Sequence, residues 1–118
     1  ADTINAALRS GKHLLFTPGI YKLDKAIEVN NPNTILLGMG LASLQSTNGN
    51  ECIRISDVDG VKVAGLLFDA GEKKSETLLK VGSEKGDVSH ENNPICLSDV
   101  YFRVGGGKYA GKKLLLWR

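Results

Sequence analysis

Three tetrapeptides, AIEV, CIRI and LLKV, begin at Ala26, Cys52 and Leu78, each 26 positions after the one before. In each, an apolar residue comes second, a charged residue third and a valine or isoleucine last. Ile27, Ile53 and Leu79 form one column, and Val29, Ile55 and Val81 another. Period-two alternation puts both columns on one face and turns Glu28, Arg54 and Lys80 to the other. A fixed interval of this length marks stacked supersecondary units. Only parallel stacking lays residue i over residue i+26. An antiparallel sandwich gives short strands without equal spacing, and the L-x-x-L-x-L-x-x-N pattern of leucine-rich repeats is absent. The repeat therefore predicts coils of a parallel β-helix, each with three short strands and three turns. No coil buries its apolar side alone, and stacking makes the core continuous.

The rest of the chain fits this frame. Asp2 to Arg9 reads as a short helix, with Ile4, Ala7 and Leu8 on one stripe, Asp2 or Thr3 as cap and Ser10-Gly11 as stop. From His13 the period becomes two, and β-rich runs alternate with turn residues such as Thr17-Pro18-Gly19 and Asp57-Val58-Asp59-Gly60. Ile35 and Leu37 are expected to point inward and to answer Val61 and Val63. Leu41 and Leu67 continue the interval, while the facing of GLLFDAG stays open between Leu67 and the pair Leu66 and Phe68. DVYFRV resembles GVKV, so Val100 and Phe102 are expected over Val61 and Val63, at a longer interval. Most of the excess falls in SEKGDVSHENNP, residues 83–94, which reads as a loop insert. The expected organisation is a capping helix over 1–12, coils over 13–106, and a partial further coil or fragment end over 107–118. The chain starts at Ala1 and its single methionine is Met39, which points to a processed or cut terminus.

Composition removes several classes of function. Fifteen basic and 13 acidic residues leave a formal charge of +2 with no basic cluster, so no nucleic-acid partner is expected. The pairs Lys73-Lys74 and Lys112-Lys113 read as solvated. No apolar run approaches the roughly 20 residues that span a bilayer. Two cysteines are too few for a disulfide scaffold and form no C-x-x-C pattern. Cys52 and Cys96 are both expected to alternate outward, beside inward Ile53 and Leu97. A bridge between them requires Cα atoms within about 7 Å. His13 and His90 lack ligand partners at metal spacing, and GMGLAS lacks the lysine and helix of a phosphate loop. Neither metal nor cofactor is expected.

LLFTPGIYKLDKAIEV, ISDVDGVKVAGLLFDAG, SETLLKVG and LSDVYFRVGG together resemble the coil phrases of pectin-lyase-like right-handed β-helix proteins. The resemblance covers roughly residues 4 to 106. It extends to the secreted glycan-associated members related to family 55 glycoside hydrolases, the exo-β-1,3-glucanases. It implies an all-β, right-handed parallel β-helix of about three to four coils with a short N-terminal capping helix. It also implies that the chain is an N-terminal portion of a longer, secreted, extracellular protein. The implied partners are a polysaccharide and further β-helix or a neighbouring protein at the C-terminal edge. The implied activity is glycoside hydrolysis. The competing reading is a non-catalytic β-helix in an extracellular filament or matrix assembly.

Glycoside hydrolysis uses two carboxyl groups about 5 to 9.5 Å apart. The candidate acids are Asp57, Asp59, Asp69 and Asp99. Asp57 and Asp59 lie in an Asp-x-Asp-Gly turn, where such side chains commonly bond the backbone, and Asp99 is expected to repeat the turn role of Asp59. No catalytic residue is assigned. The 83–94 insert offers Glu84, Lys85, Asp87, His90 and Glu91, and loops carry function more often than scaffold does. Tyr21, Tyr101, Tyr109 and Trp117 are sugar-stacking candidates. Tyr101 leads because Val100 and Phe102 beside it are expected to face inward, while Trp117 is expected to pack in a core or interface. The expected substrate-binding residues are Tyr101, Asp69 and His90.

Overall fold

The computed structural model describes residues 1–83, 89–104 and 116–117. After helix α1 (Asp2–Arg9) the described residues form ten strands. These are β1 (Leu14–Phe16), β2 (Ile20–Leu23), β3 (Ile27–Val29), β4 (Ile35–Ser46) and β5 (Ile53–Ile55), followed by β6 (Lys62–Asp69), β7 (Leu79–Val81), β8 (Cys96–Ser98), β9 (Tyr101–Arg103) and β10 (Leu116–Trp117). Among the described residues every ladder is parallel. One sheet runs β10-β7-β5-β3; the other stacks β4 on β1 and β2, β6 on β4, and β8 and β9 on β6. The two sheets enclose one core, as a β-helix requires.

The four-stranded sheet follows the repeat. Ile27 pairs with Ile53 and Ile53 with Leu79, and Val29, Ile55 and Val81 stack in the same way. All six are buried. Outside, Arg54 meets Glu28 at 3.3 Å, 26 positions away, and Glu51 at 3.0 Å. Lys80 lies beside Arg54 in the ladder.

The six-stranded sheet departs from the constant interval. Ile35 pairs with Lys62 and Leu36 with Val63, one residue longer than the repeat. Leu36 is therefore the buried residue, and Ile35 and Leu37 are each 42% exposed, contrary to the sequence expectation. The cause is local. The register shifts between Leu37 and Ala42, where Gly40 and Leu41 have φ of 62° and 54° and Met39 and Leu41 are exposed. Past this bulge Gln45 meets Asp69 only 24 positions on. Leu41 thus sits in the bulge, and Leu67 pairs with Ser43 and faces outward of buried Leu66 and Phe68.

The last strands also differ from expectation. Cys96-Leu97-Ser98 lies over Lys62-Val63-Ala64, and Tyr101-Phe102-Arg103 lies over Leu67-Phe68-Asp69. Phe102 stacks on Phe68, with ring centroids 5.1 Å apart, so its partner is Phe68 and not Val63. The interval here is 34, as in the Arg103–Asp69 contact. Val100 and Phe102 are half-buried against the core. Asp99 (φ 49°) falls in register near Gly65 (φ 71°), at the bend between two strands, and does not repeat Asp59. Cys52 is fully buried where an outward position was expected, Cys96 is exposed, and both thiols are free.

Helix α1 spans the expected residues, but Ala1 stands at its N-cap and no side chain caps it. Its buried Asn5 lies against β3. Asn5 Nδ2 donates to the Ala26 carbonyl at 3.1 Å, and the Glu28 N–H donates to Asn5 Oδ1 at 2.8 Å. Asn31 Nδ2 donates to the Leu8 carbonyl, and His13 Nδ1 accepts from the Ile35 N–H. These side chains cover backbone groups at the first rung.

Candidate functional site

Two polar constellations stand at opposite ends of β6. The first is at its start. The turn between β5 and β6 carries Asp57 and Asp59, and their carboxylates close on the two ring nitrogens of His90, Asp57 on Nε2 and Asp59 on Nδ1. The carboxylates were expected to bond their own turn; they hold the insert instead. An imidazole can donate from both nitrogens only when protonated. The hydrogen bonds that Asp57 and then Asp59 accept accordingly raise the His90 pKa above its ordinary value of 6.5. Asn93 extends the clasp. It donates to Asn33 Oδ1 at 2.8 Å, and its carbonyl accepts from the Gly60 N–H at 2.9 Å. Gly60 has φ 71°, and a Cβ there would collide with the Asn33 and Asn93 side chains, so a tight left-handed corner is required.

The second constellation is at the end of β6. Asp69 is buried, and Arg103 reaches it with Nη2 at 2.5 Å and Nε at 3.2 Å, a two-pronged contact. Gln45 Nε2 donates to the same carboxylate at 3.4 Å. Tyr101, two residues before Arg103, is 50% exposed and pairs with Leu67. Tyr101 and Asp69 therefore share one side of the helix, whereas His90 lies at the other end of β6.

The remaining candidates have structural partners or lie outside the described residues. Tyr21 packs edge-on against Phe16 and donates its hydroxyl to the Thr17 carbonyl, which ties the Thr17-Pro18-Gly19 turn. Glu84, Lys85, Asp87, Tyr109 and the Trp117 side chain lie outside the described residues. Asp57 and Asp59 are engaged by His90, and Asp69 by Arg103. Among the described residues no cluster of His, Cys, Asp and Glu suits a metal ion, and no helix is long and apolar enough to cross a membrane.

Sequence reasoning overlooked the partners: Arg103 for Asp69, the aspartates for His90, and Asn5 for β3. The first needed the true register of the six-stranded sheet and the second the path of the insert. Asn5 was legible as a polar residue on the apolar stripe between Ile4 and Leu8.

Residues 1–115 match the family model of the LAM55 pectate lyase-like domain. The chain is 54% identical over 106 residues to an exo-beta-1,3-glucanase of Streptomyces sp. (strain SirexAA-E / ActE), covering 90% of this chain and 18% of that protein. Two solved structures of sacteLam55A from Streptomyces sp. SirexAA-E, one a variant in complex with glucose, superpose with a TM-score of 0.87 and 53% identity. They cover 89% of this chain and 19% of theirs, so the chain spans about a fifth of the length of these relatives.

Proposed function

The chain belongs to the LAM55 pectate lyase-like domain family, and from that premise we propose that it is part of a family 55 glycoside hydrolase acting on β-1,3-glucan. The observation that carries this is the 54% identity to the Streptomyces exo-beta-1,3-glucanase over nearly the whole chain. In this reading the chain is a right-handed parallel β-helix of three to four coils. Right-handedness is the general rule for parallel crossover connections. The protein acts outside the cell, where a long polysaccharide is available.

The contribution of these coils is a binding wall. Tyr101 offers a ring to a sugar face beside the Asp69–Arg103 pair, and His90 contributes from the wall at the other end of β6. Catalytic acid and base are not assigned to this chain. The glucanase relation favours this reading over a non-catalytic filament component.

A segment exchange tests it. The chain is grafted in place of the matching part of the Streptomyces enzyme, and glucose release from β-1,3-glucan is measured. Retention of the parent activity is the expected result. A chimera that folds but releases no glucose overturns the reading.

A further inference from the structure

The corner between β4 and β5 reads Thr47-Asn48-Gly49-Asn50, and Asn48 is the one asparagine of the sequence that precedes a glycine. Glycine carries no Cβ, so its main-chain nitrogen is open to a carbonyl carbon beside it. The rest of the corner is tied. The Thr47 N–H and hydroxyl both donate to the Leu23 carbonyl, at 2.9 and 3.1 Å. The Asn48 N–H donates to Asn50 Oδ1 at 3.2 Å. Among the described residues no group accepts the Gly49 N–H. Asn48 is exposed, and Lys73 reaches it from the next coil, 25 positions on, where Nζ donates to Asn48 Oδ1 at 2.8 Å. Gly49 has φ 75°, and a Cβ on it would come within 2.7 Å of the Lys74 carbonyl oxygen. The corner therefore lies directly on the Lys73-Lys74 pair, and Lys73 is engaged by Asn48.

We propose that Asn48 is a site of self-modification, at which the side-chain amide becomes a carboxylate with Lys73 as the promoting group. The Gly49 nitrogen attacks Asn48 Cγ. The new N–Cγ bond closes a cyclic imide and the Cγ–Nδ2 bond breaks. Nδ2 leaves as ammonia, carrying the proton that the Gly49 nitrogen gives up. Water then opens the ring. Cleavage of the N–Cγ bond gives aspartate, and cleavage between the nitrogen and the Asn48 main-chain carbonyl carbon gives isoaspartate. Nothing is oxidised or reduced. Negative charge grows on Oδ1 as the nitrogen adds, and the Lys73 ammonium already stands on that atom. Its contact is thus stronger in the transition state than before it, which is what accelerates a step. The aspartate product keeps the contact with Lys73 as an ion pair. The isoaspartate product lengthens the main chain by one carbon in a corner closed by the Lys74 carbonyl. The inference is independent of the polysaccharide reading.

The test is incubation of the folded protein in warm, mildly alkaline buffer, with peptide mapping by mass spectrometry at intervals. Asn48 is expected to convert first among the asparagines. Lys73→Ala is expected to slow its conversion roughly threefold, the scale of one exposed charged contact. Lys73→Arg keeps a cation at the position and is expected to restore most of the rate. In urea, where the corner is lost, the parent and Lys73→Ala are expected to convert equally fast. Circular dichroism confirms that the variants are folded in buffer. If Asn48 stays intact in the folded parent while the unfolded chain converts, the fold protects the amide and the proposal is overturned. It is overturned equally if folded Lys73→Ala converts as fast as the parent or faster.

Discussion

Asn5 stands against Glu28 as a strand would, accepting the Glu28 N–H at 2.8 Å while its own amide donates to Ala26 two residues earlier. A parallel neighbour would bond the same two backbone groups. One side chain thus replaces a missing rung at the edge of β3. Asn5→Ala leaves a part-buried N–H and carbonyl without that partner and is expected to cost about 1–3 kcal/mol. Asn5→Asp, which keeps the acceptor and loses the donor, is expected to cost less. Chemical denaturation of the three proteins checks the order.

The two thiols are expected to differ sharply in reactivity. Burial pushes the Cys52 thiol up to about 12, and only a thiolate reacts with alkylating reagents. Cys96 is exposed. Native protein at pH 8 is expected to label once, at Cys96, and unfolded protein twice. Mass spectrometry after brief alkylation reads the result; rapid labelling of native Cys52 would show that the first sheet does not enclose it.

The clasp at His90 is expected to weaken as pH rises. The folded protein holds His90 above its ordinary value of 6.5, first through Asp57 and then through Asp59. A raised folded pKa means that the contribution to stability is complete below 6.5 and disappears as pH rises through the folded value. Among the described residues, these two aspartates are the charged groups that act on the ring. Hydrogen exchange at residues 89–94 is expected to quicken at high pH beyond the intrinsic rate increase. In Asp57→Asn/Asp59→Asn that additional dependence should vanish.

Arg103 and Asp69 are expected to be coupled. Removing Arg103 leaves a buried carboxylate facing the Gln45 amide, at a cost of roughly 1–3 kcal/mol. Once Asp69→Asn has removed the charge, Arg103→Leu should cost much less. A double-mutant cycle by thermal or urea unfolding measures the difference. Additive costs would mean that the contact contributes nothing.

Cavity formation on the regular face gives the largest expected loss. Ile53 is fully buried between Ile27 and Leu79, and Ile53→Ala is expected to cost about 2–5 kcal/mol. Ile35→Ala, on a half-exposed residue of the other sheet, is expected to cost far less. The same denaturation series compares the two.

The contrast between Ile53 and Ile35 also explains how much of the fold was legible. Columns through β3, β5 and β7 keep a constant interval, so identical spacing in sequence became vertical register in space. On the other sheet the interval is 27 before the Gly38–Leu41 bulge and 24 after it. A run such as ILLG contains apolar residues at every position, and alternation alone could not say that Leu36, and not its neighbours, turns inward. The partner of Phe102 was missed for a related reason. VKV and LLF both offer an apolar alternation, and the insert length that decides between them is set by the path of the loop. Tyr101, Asp69 and His90 were named as candidates because their own residue types are informative. Arg103, His90 and Asn5 act through partners 34, 31 to 33, and 21 to 23 positions away, and no local pattern announces such pairings.

The constant spacing of β3, β5 and β7 divides the molecule into a flank of constant interval and an adjustable one. Extra residues enter at Met39 or before β8 and leave Ile27, Ile53 and Leu79 aligned. New segments can therefore be added on the adjustable flank without retuning the spine beside it.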